Sequence, residues 1–181
     1  MKLIDLKTKT LALIEEINPD ATDLTDDPDI AAKLPYVINQ ILHELARFKK
    51  LPNYNEKEVE KDQIMNLNDS LDNFYQLKRI KGVRYEFLDD IHVRFLEDGV
   101  ALISYYQYPE NITADTPDTK TLDLPEDVLE IAPYGIAADI LKADVSNQYG
   151  QIYANRYREM IQTLDSRYSN TIVELDGGIE I

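Results

Sequence analysis

Cysteine is absent from the 181-residue chain. That removes disulfide scaffolds, thiolate zinc sites and cysteine nucleophiles, and leaves the redox compartment open. Histidine is scarce: only His43 and His92 occur, so sites built on several histidines are excluded. None of the six glycines sits between a strand and a helix in the pattern that cradles phosphates. No Gly-x-Ser-x-Gly nucleophile elbow is present. No apolar run approaches the roughly 20 residues of a membrane span, and Met1-Lys2-Leu3-Ile4-Asp5 places an acid where a signal peptide needs an apolar stretch. Basic residues are few, 19 against 34 acidic ones, for a formal charge of −15. A duplex-binding protein needs a basic footprint, so specific DNA binding is not expected. Carboxylates are abundant, but no pair is singled out for general acid–base work. The expectation is a protein that is not an enzyme and uses no metal or cofactor.

What is present is a normal apolar share, 44%, so the acidity belongs on a folded surface and not in a solvated tail. Leu3, Leu6, Leu13, Ile14 and Ile17 share a face at helical spacing, which predicts a helix from Leu3 to Ile17, ended by Asn18-Pro19. Asp20 to Asp29 is acid-rich. As a calcium loop counted from Asp23 it places Pro28 where an EF-hand needs glycine. It reads better as a solvated loop with Asp27 capping the next helix and Pro28 in its first turn. That helix, Pro28 to about Lys50, has the strongest apolar stripe in the chain: Ile30, Leu34, Val37, Ile38, Ile41, Leu42, Leu45 and Phe48. Pro35 should kink or split it near Leu34, and His43 falls on its polar side as a surface residue.

From Tyr54 to Pro109, β-branched and aromatic residues alternate with polar ones. The strand candidates are 62–67, 74–80, 85–88 and 91–96, then a hairpin turn at Glu97-Asp98-Gly99 and a returning strand, Val100 to Tyr108. Lys78, Arg79, Lys81 and Arg84 form a basic cluster that reads first as a solvated strand end, with contact to phosphates or to another subunit's acids as the alternatives. Glu110 to Asp123 reads as an exposed loop. A helix opens at Leu124-Pro125-Glu126-Asp127 and is interrupted by Pro133; another runs from Pro133 to about Asp144. Asp144 and Ser146 are cap candidates for a last helix, about Asn147 to Arg167. Tyr149, Tyr153 and Tyr157 stripe that helix and suit a half-buried helix or subunit seam. The tail from Ser169 alternates Ile172, Val173 and Leu175 with acids, then has Gly177-Gly178, Ile179 and Ile181, a pattern suited to strand addition on a partner.

The fold expected is α+β: a small bundle of about four main helices (1–53 and 122–168), an inserted antiparallel β-sheet (54–121), and an extended C-terminal tail (169–181). Ile38, Ile41, Leu45, Ile136, Ile140, Ile152, Met160 and Ile161 are the expected bundle core.

Three stretches carry a resemblance. Leu34-Pro35-Tyr36-Val37-Ile38-Asn39-Gln40-Ile41-Leu42-His43-Glu44-Leu45-Ala46-Arg47 resembles the early helix of bacteriophage head–tail connector (adaptor) proteins. Leu124 to Asp127, through Ile131 to Ala138, resembles their late helix pair. Gln148 to Tyr153, with Arg156-Tyr157, resembles their terminal helix. The resemblance implies a structural virion protein forming a ring, usually dodecameric, beneath the portal protein. Such a ring extends the channel for double-stranded DNA without specific binding and offers the tail or tail-completion proteins a docking platform. Its place would be the head–tail junction of the virion, assembled in the bacterial host cytoplasm, with no membrane involved. Under that reading Ile172, Val173, Leu175, Gly177, Gly178, Ile179 and Ile181 contact the portal. The alternatives are a small cytosolic ligand-binding or regulatory domain, or another tail-completion protein.

Because the sequence offers no metal-binding pattern, exhaustive dialysis against a chelator is expected to leave folding and assembly unchanged. Circular dichroism and sizing before and after dialysis check this.

Overall fold

The computed structural model describes residues 1–22, 24–142 and 148–168. Asp144, Ser146 and the whole tail, Ile172 to Ile181 included, lie outside them. Within them the protein is α+β, with helices before and after a run of six strands.

Helix α1 (Leu3–Leu13) has Lys2 at its N-cap, and Asp5 Oδ2 accepts from Lys2 N–H at 3.0 Å, but no N-cap side chain caps the first helical N–H groups. Residues 118–121 take that role: Leu3 N–H donates to the Lys120 carbonyl at 2.9 Å, Ile4 N–H to Asp118 at 3.0 Å, and Lys2 bridges Thr121. The helix stops at Leu13, short of the expected Ile17. Glu15 adopts φ 61°, and Glu16 N–H returns to the Leu11 carbonyl at 3.0 Å. This closes a left-handed C-terminal turn before Pro19 can act.

Helix α2 (Pro28–Ala46) is capped as expected, with Asp27 accepting from Asp29 N–H at 2.8 Å and Ile30 N–H at 3.2 Å. Pro35 does not split it, and the helix ends at Ala46, short of Lys50. One missing backbone bond is outweighed by the buried stripe Leu34, Ile38, Ile41, Leu42 and Leu45, since most helix stability comes from packing an apolar face.

The β region holds two sheets instead of one. Strands β1 (Leu51–Val59), β6 (Gly99–Gln107) and β3 (Phe74–Lys81) make the first, in the order β1-β6-β3. Strands β2 (Ile64–Asn66), β5 (His92–Phe95) and β4 (Tyr85–Phe87) make the second, in the order β2-β5-β4. All pairs are antiparallel, and a single turn, α3 (Leu67–Ser70), follows β2. The expected hairpin at Glu97-Asp98-Gly99 does not form, because β5 and β6 belong to different sheets. The turn instead carries the chain from one sheet to the other. Gly99 suits the crossing: its φ is +156°, and a Cβ there would lie 2.8 Å from Val83 Cγ1. Met65, Val93, Phe95, Ala101, Ile103 and Tyr105 meet in a core of their own.

The remaining helices close the first core. Short α4 (Glu126–Leu129) leads into α5 (Ala132–Leu141), where Pro133 occupies the first turn. Helix α6 (Gln148–Tyr168) lies along α5. Ile38, Ile41, Leu45, Ile136 and Ile140 are buried, while Met160 and Ile161 are only half-buried. Ile152 is not a core residue, being 55% exposed. The two helices pack tightly at Gly150, where a Cβ would sit 3.2 Å from Leu141 Cβ, and at Gly135, where one would sit 2.8 Å from Tyr157 Cε2. That turns Tyr153, Tyr157 and Leu164 inward and swings Ile152 about 100° away. Glu110–Asp123 is not simply an exposed loop: Ile112 and Leu122 are buried in the helical core, and Asn39 holds Ile112 by both backbone groups at 2.7 and 2.8 Å.

Ile41 is buried in the centre of this core, so Ile41→Ala is expected to cost about 2–5 kcal/mol. Ile152→Ala should stay within about 0.5 kcal/mol. Chemical denaturation of both variants against the parent checks the pair.

Candidate interaction site

Among the described residues no three His, Asp or Glu side chains converge in a way that could hold a metal ion. Among them no helix is long and apolar enough to cross a membrane. The chemistry on offer is that of surfaces and of one aromatic junction.

The tyrosine stripe of α6 divides by depth. Tyr149 is 61% exposed. Tyr153 is half-buried and its hydroxyl donates to the Leu13 carbonyl at 2.6 Å, tying α6 to the end of α1. Burial first, and the Glu15 carboxylate second, raise its pKa. Tyr157 lies against Gly135, where a Cβ would be 2.8 Å from Tyr157 Cε2. Its hydroxyl is buried without a hydrogen-bond partner among the described residues, and burial, then the Glu44 carboxylate, push it above the usual phenol range. Of the three, Tyr149 is the exposed ring, stacked on Tyr153 at 6.5 Å, while Tyr153 and Tyr157 serve the helix–helix seam inside the chain.

His43 is not the surface residue its helical position suggests. Its ring stacks on Tyr108 at 4.7 Å and 21°, and Tyr108 meets Tyr75 at 4.7 Å. The three rings join α2, the end of β6 and β3. His43 Nε2 is buried without a partner among the described residues. Burial lowers the imidazole pKa most; the Pro109 carbonyl and the Asn111 side chain pull it back, and Arg47 adds to the lowering. The signal missed in the sequence is the helical distance from Asn39 to His43, which places both over the chain returning from the sheet.

The outward face of the β1-β6-β3 sheet is the most distinctive surface. On β6, Val100 and Leu102 are exposed, the latter 47%; on β1, Tyr54 is 70% exposed. Lys50 Nζ and Lys78 Nζ lie 5.1 and 5.9 Å from the centre of the Tyr106 ring, within cation–π range. The predicted basic cluster is broken up. Lys78, Arg79 and Lys81 stay on β3, whereas Arg84 pairs with Glu97 at 2.9 Å. There the Arg84 backbone N–H, then its side chain, hold the Glu97 pKa below its usual value. Alongside β3, a shallow groove of about 890 Å³ is lined by Phe74, Leu77, Phe87, Leu88, Asp90 and Tyr108 among others.

No protein-family model matches the chain, and no curated protein matches it significantly.

The His43 environment makes a pH prediction. Unfolded, the ring takes a proton near its ordinary value of 6.5; folded, it resists. The stability held by the neutral ring is therefore complete above that pH and lost as pH falls through the depressed folded value. Between about pH 7 and pH 5.5 the parent should lose more stability than His43→Phe, which keeps the stack without the titration. Urea unfolding at both pH values measures the difference.

Proposed function

We propose that the protein is a non-enzymatic head–tail adaptor of a bacteriophage virion, assembling as a ring below the portal protein. One observation carries the reading: the chain builds a helical core from α1–α2 and α4–α6, with the β unit inserted between them. The three stretches that resemble adaptor proteins lie on α2, α4–α5 and α6 and pack into that core beside α1. A ring of such acidic subunits repels phosphates, so double-stranded DNA slides through instead of sticking. The exposed Tyr149 ring and the outward sheet face give such a subunit surfaces for neighbours and for tail or tail-completion proteins.

The tail beyond Tyr168 is the portal contact in this proposal. Ile172, Val173, Leu175, Ile179 and Ile181 alternate with acids, and Gly177-Gly178 allows close approach to a neighbouring backbone. One copy binds weakly, because ordering costs about 1–2 kcal/mol per residue; many copies on a ring bind by avidity. The groove beside β3 favours a second reading, a small ligand-binding domain. Such a domain forms no ring on portals or off them, which separates the two.

Deleting residues 170–181 should leave the helical core folded and abolish attachment to portal-bearing heads. Electron microscopy of isolated portals mixed with the full-length and shortened chains checks both readings. Undiminished docking of the shortened chain moves the contact to the helices or the sheet, and no ring on any portal sinks the adaptor proposal.

A further inference from the structure

We infer that the outward face of the β1-β6-β3 sheet is a contact between two copies of this chain, seated face to face about a two-fold axis running along β6. The strand registers set the residues in rows. Glu56 lies opposite Leu102, which lies opposite Lys81. Tyr54 lies opposite Ser104, which lies opposite Arg79. Glu58 lies opposite Val100. The acids thus stand on one edge strand, the bases on the other, and exposed Val100 and Leu102 on the strand between. Among the described residues Glu56, Glu58, Lys78, Arg79 and Lys81 enter no ion pair.

A half-turn about β6 exchanges the two edges and keeps every row level. It lays Glu56 over the partner's Lys81 twice, and Leu102 over the partner's Leu102 near the axis. The face is complementary to itself, which is what a two-fold interface requires. Joining sheets edge to edge is disfavoured on the β3 side, where two register shifts, between Phe74 and Gln76 and between Leu77 and Arg79, interrupt the row of free backbone groups. On a chain of charge −15, the basic edge is where an acidic surface can land, and the same face carries one. A nucleic acid strand would meet Glu56 and Glu58 as well as the bases, which opposes it.

Strands about 4.8 Å apart, with residues rising about 3.4 Å each, give the face an area on the order of 400 Å² per copy. That is half of the roughly 800 Å² per partner of a standard interface. The contact is therefore weak and rapidly reversible, and it strengthens where copies are already gathered. It needs neither portal nor ring, so it stands or falls separately from the adaptor reading.

Analytical ultracentrifugation of the full chain from about 10 μM to about 1 mM tests it. The expected result is a monomer–dimer equilibrium that weakens with salt. Lys81→Glu and Glu56→Lys should each weaken it about tenfold, by setting like charges together. The double variant, Glu56→Lys with Lys81→Glu, should recover the parent's association to within about twofold. Circular dichroism of each variant confirms that it is folded. A parent that stays monomeric throughout overturns the inference. So does a Lys81→Glu variant that associates as the parent does, or a double variant that fails to recover. Saturable binding of a single-stranded oligonucleotide that displaces self-association would assign the face to nucleic acid instead.

Discussion

Leu51 and Gln107 stand opposite each other in the register of β1 and β6, and the architecture depends on that pairing. The chain leaves the helical core just before Leu51 and returns to it just after Gln107. The intervening strands can fold around their own core only because exit and return are held side by side. The neighbouring contacts reinforce this neck. Lys50 Nζ reaches Gln76 Oε1 at 2.7 Å, Tyr108 N–H donates to the Asn73 carbonyl at 2.8 Å, and His43 stacks on Tyr108. Beyond the neck, Asn39 grips Ile112 and residues 118–121 cap α1. A polar side chain that satisfies both backbone groups of one residue avoids the penalty of burying them unpaired.

Charge is distributed with the same economy. Several cations are paired with acids distant in sequence, such as Lys7 with Asp118 at 2.7 Å and Lys9 with Glu130 at 2.6 Å. Each ties α1 to the returning half of the chain. The exposed Lys9–Glu130 pair adds little stability by itself. The value of both pairs here is register, because they fix which part of the return segment lies over α1. The bases of β3 take no part in this internal pairing and remain outward.

Much of the helical half was legible in the sequence. The α2 stripe and its Asp27 cap needed only local rules, because apolar spacing and a capping carboxylate act within a few residues. The β half was legible as strands but not as sheets. Alternation in 91–95 shows that Val93 and Phe95 are buried, yet it cannot say whether β5 pairs with β6 or with β2 and β4. β1 escaped notice because Pro52, Asn53, Asn55, Glu56, Lys57 and Glu58 are poor strand formers; pairing with β6 along its whole length makes it a strand. His43 was misread for a related reason: its setting comes from Tyr108, 65 positions on. The candidate surface was visible only in part, since the basic residues of β3 stand out in the sequence but their acidic counterparts on β1 become an opposing edge only through β6.

The neck also bears on how the chain finds its fold. Helices α2 and α5 belong to one core but are separated by the whole β unit. Closing a flexible loop costs entropy that grows as roughly (3/2)RT ln n with its length. Once β1 and β6 have zipped from Val59–Gly99 down to Leu51–Gln107, that long loop is replaced by a junction one residue pair wide. The second half of the helical core then meets the first as though the two were adjacent in sequence. An insertion that looks like an obstacle to folding becomes, when it folds first, the device that shortens the search.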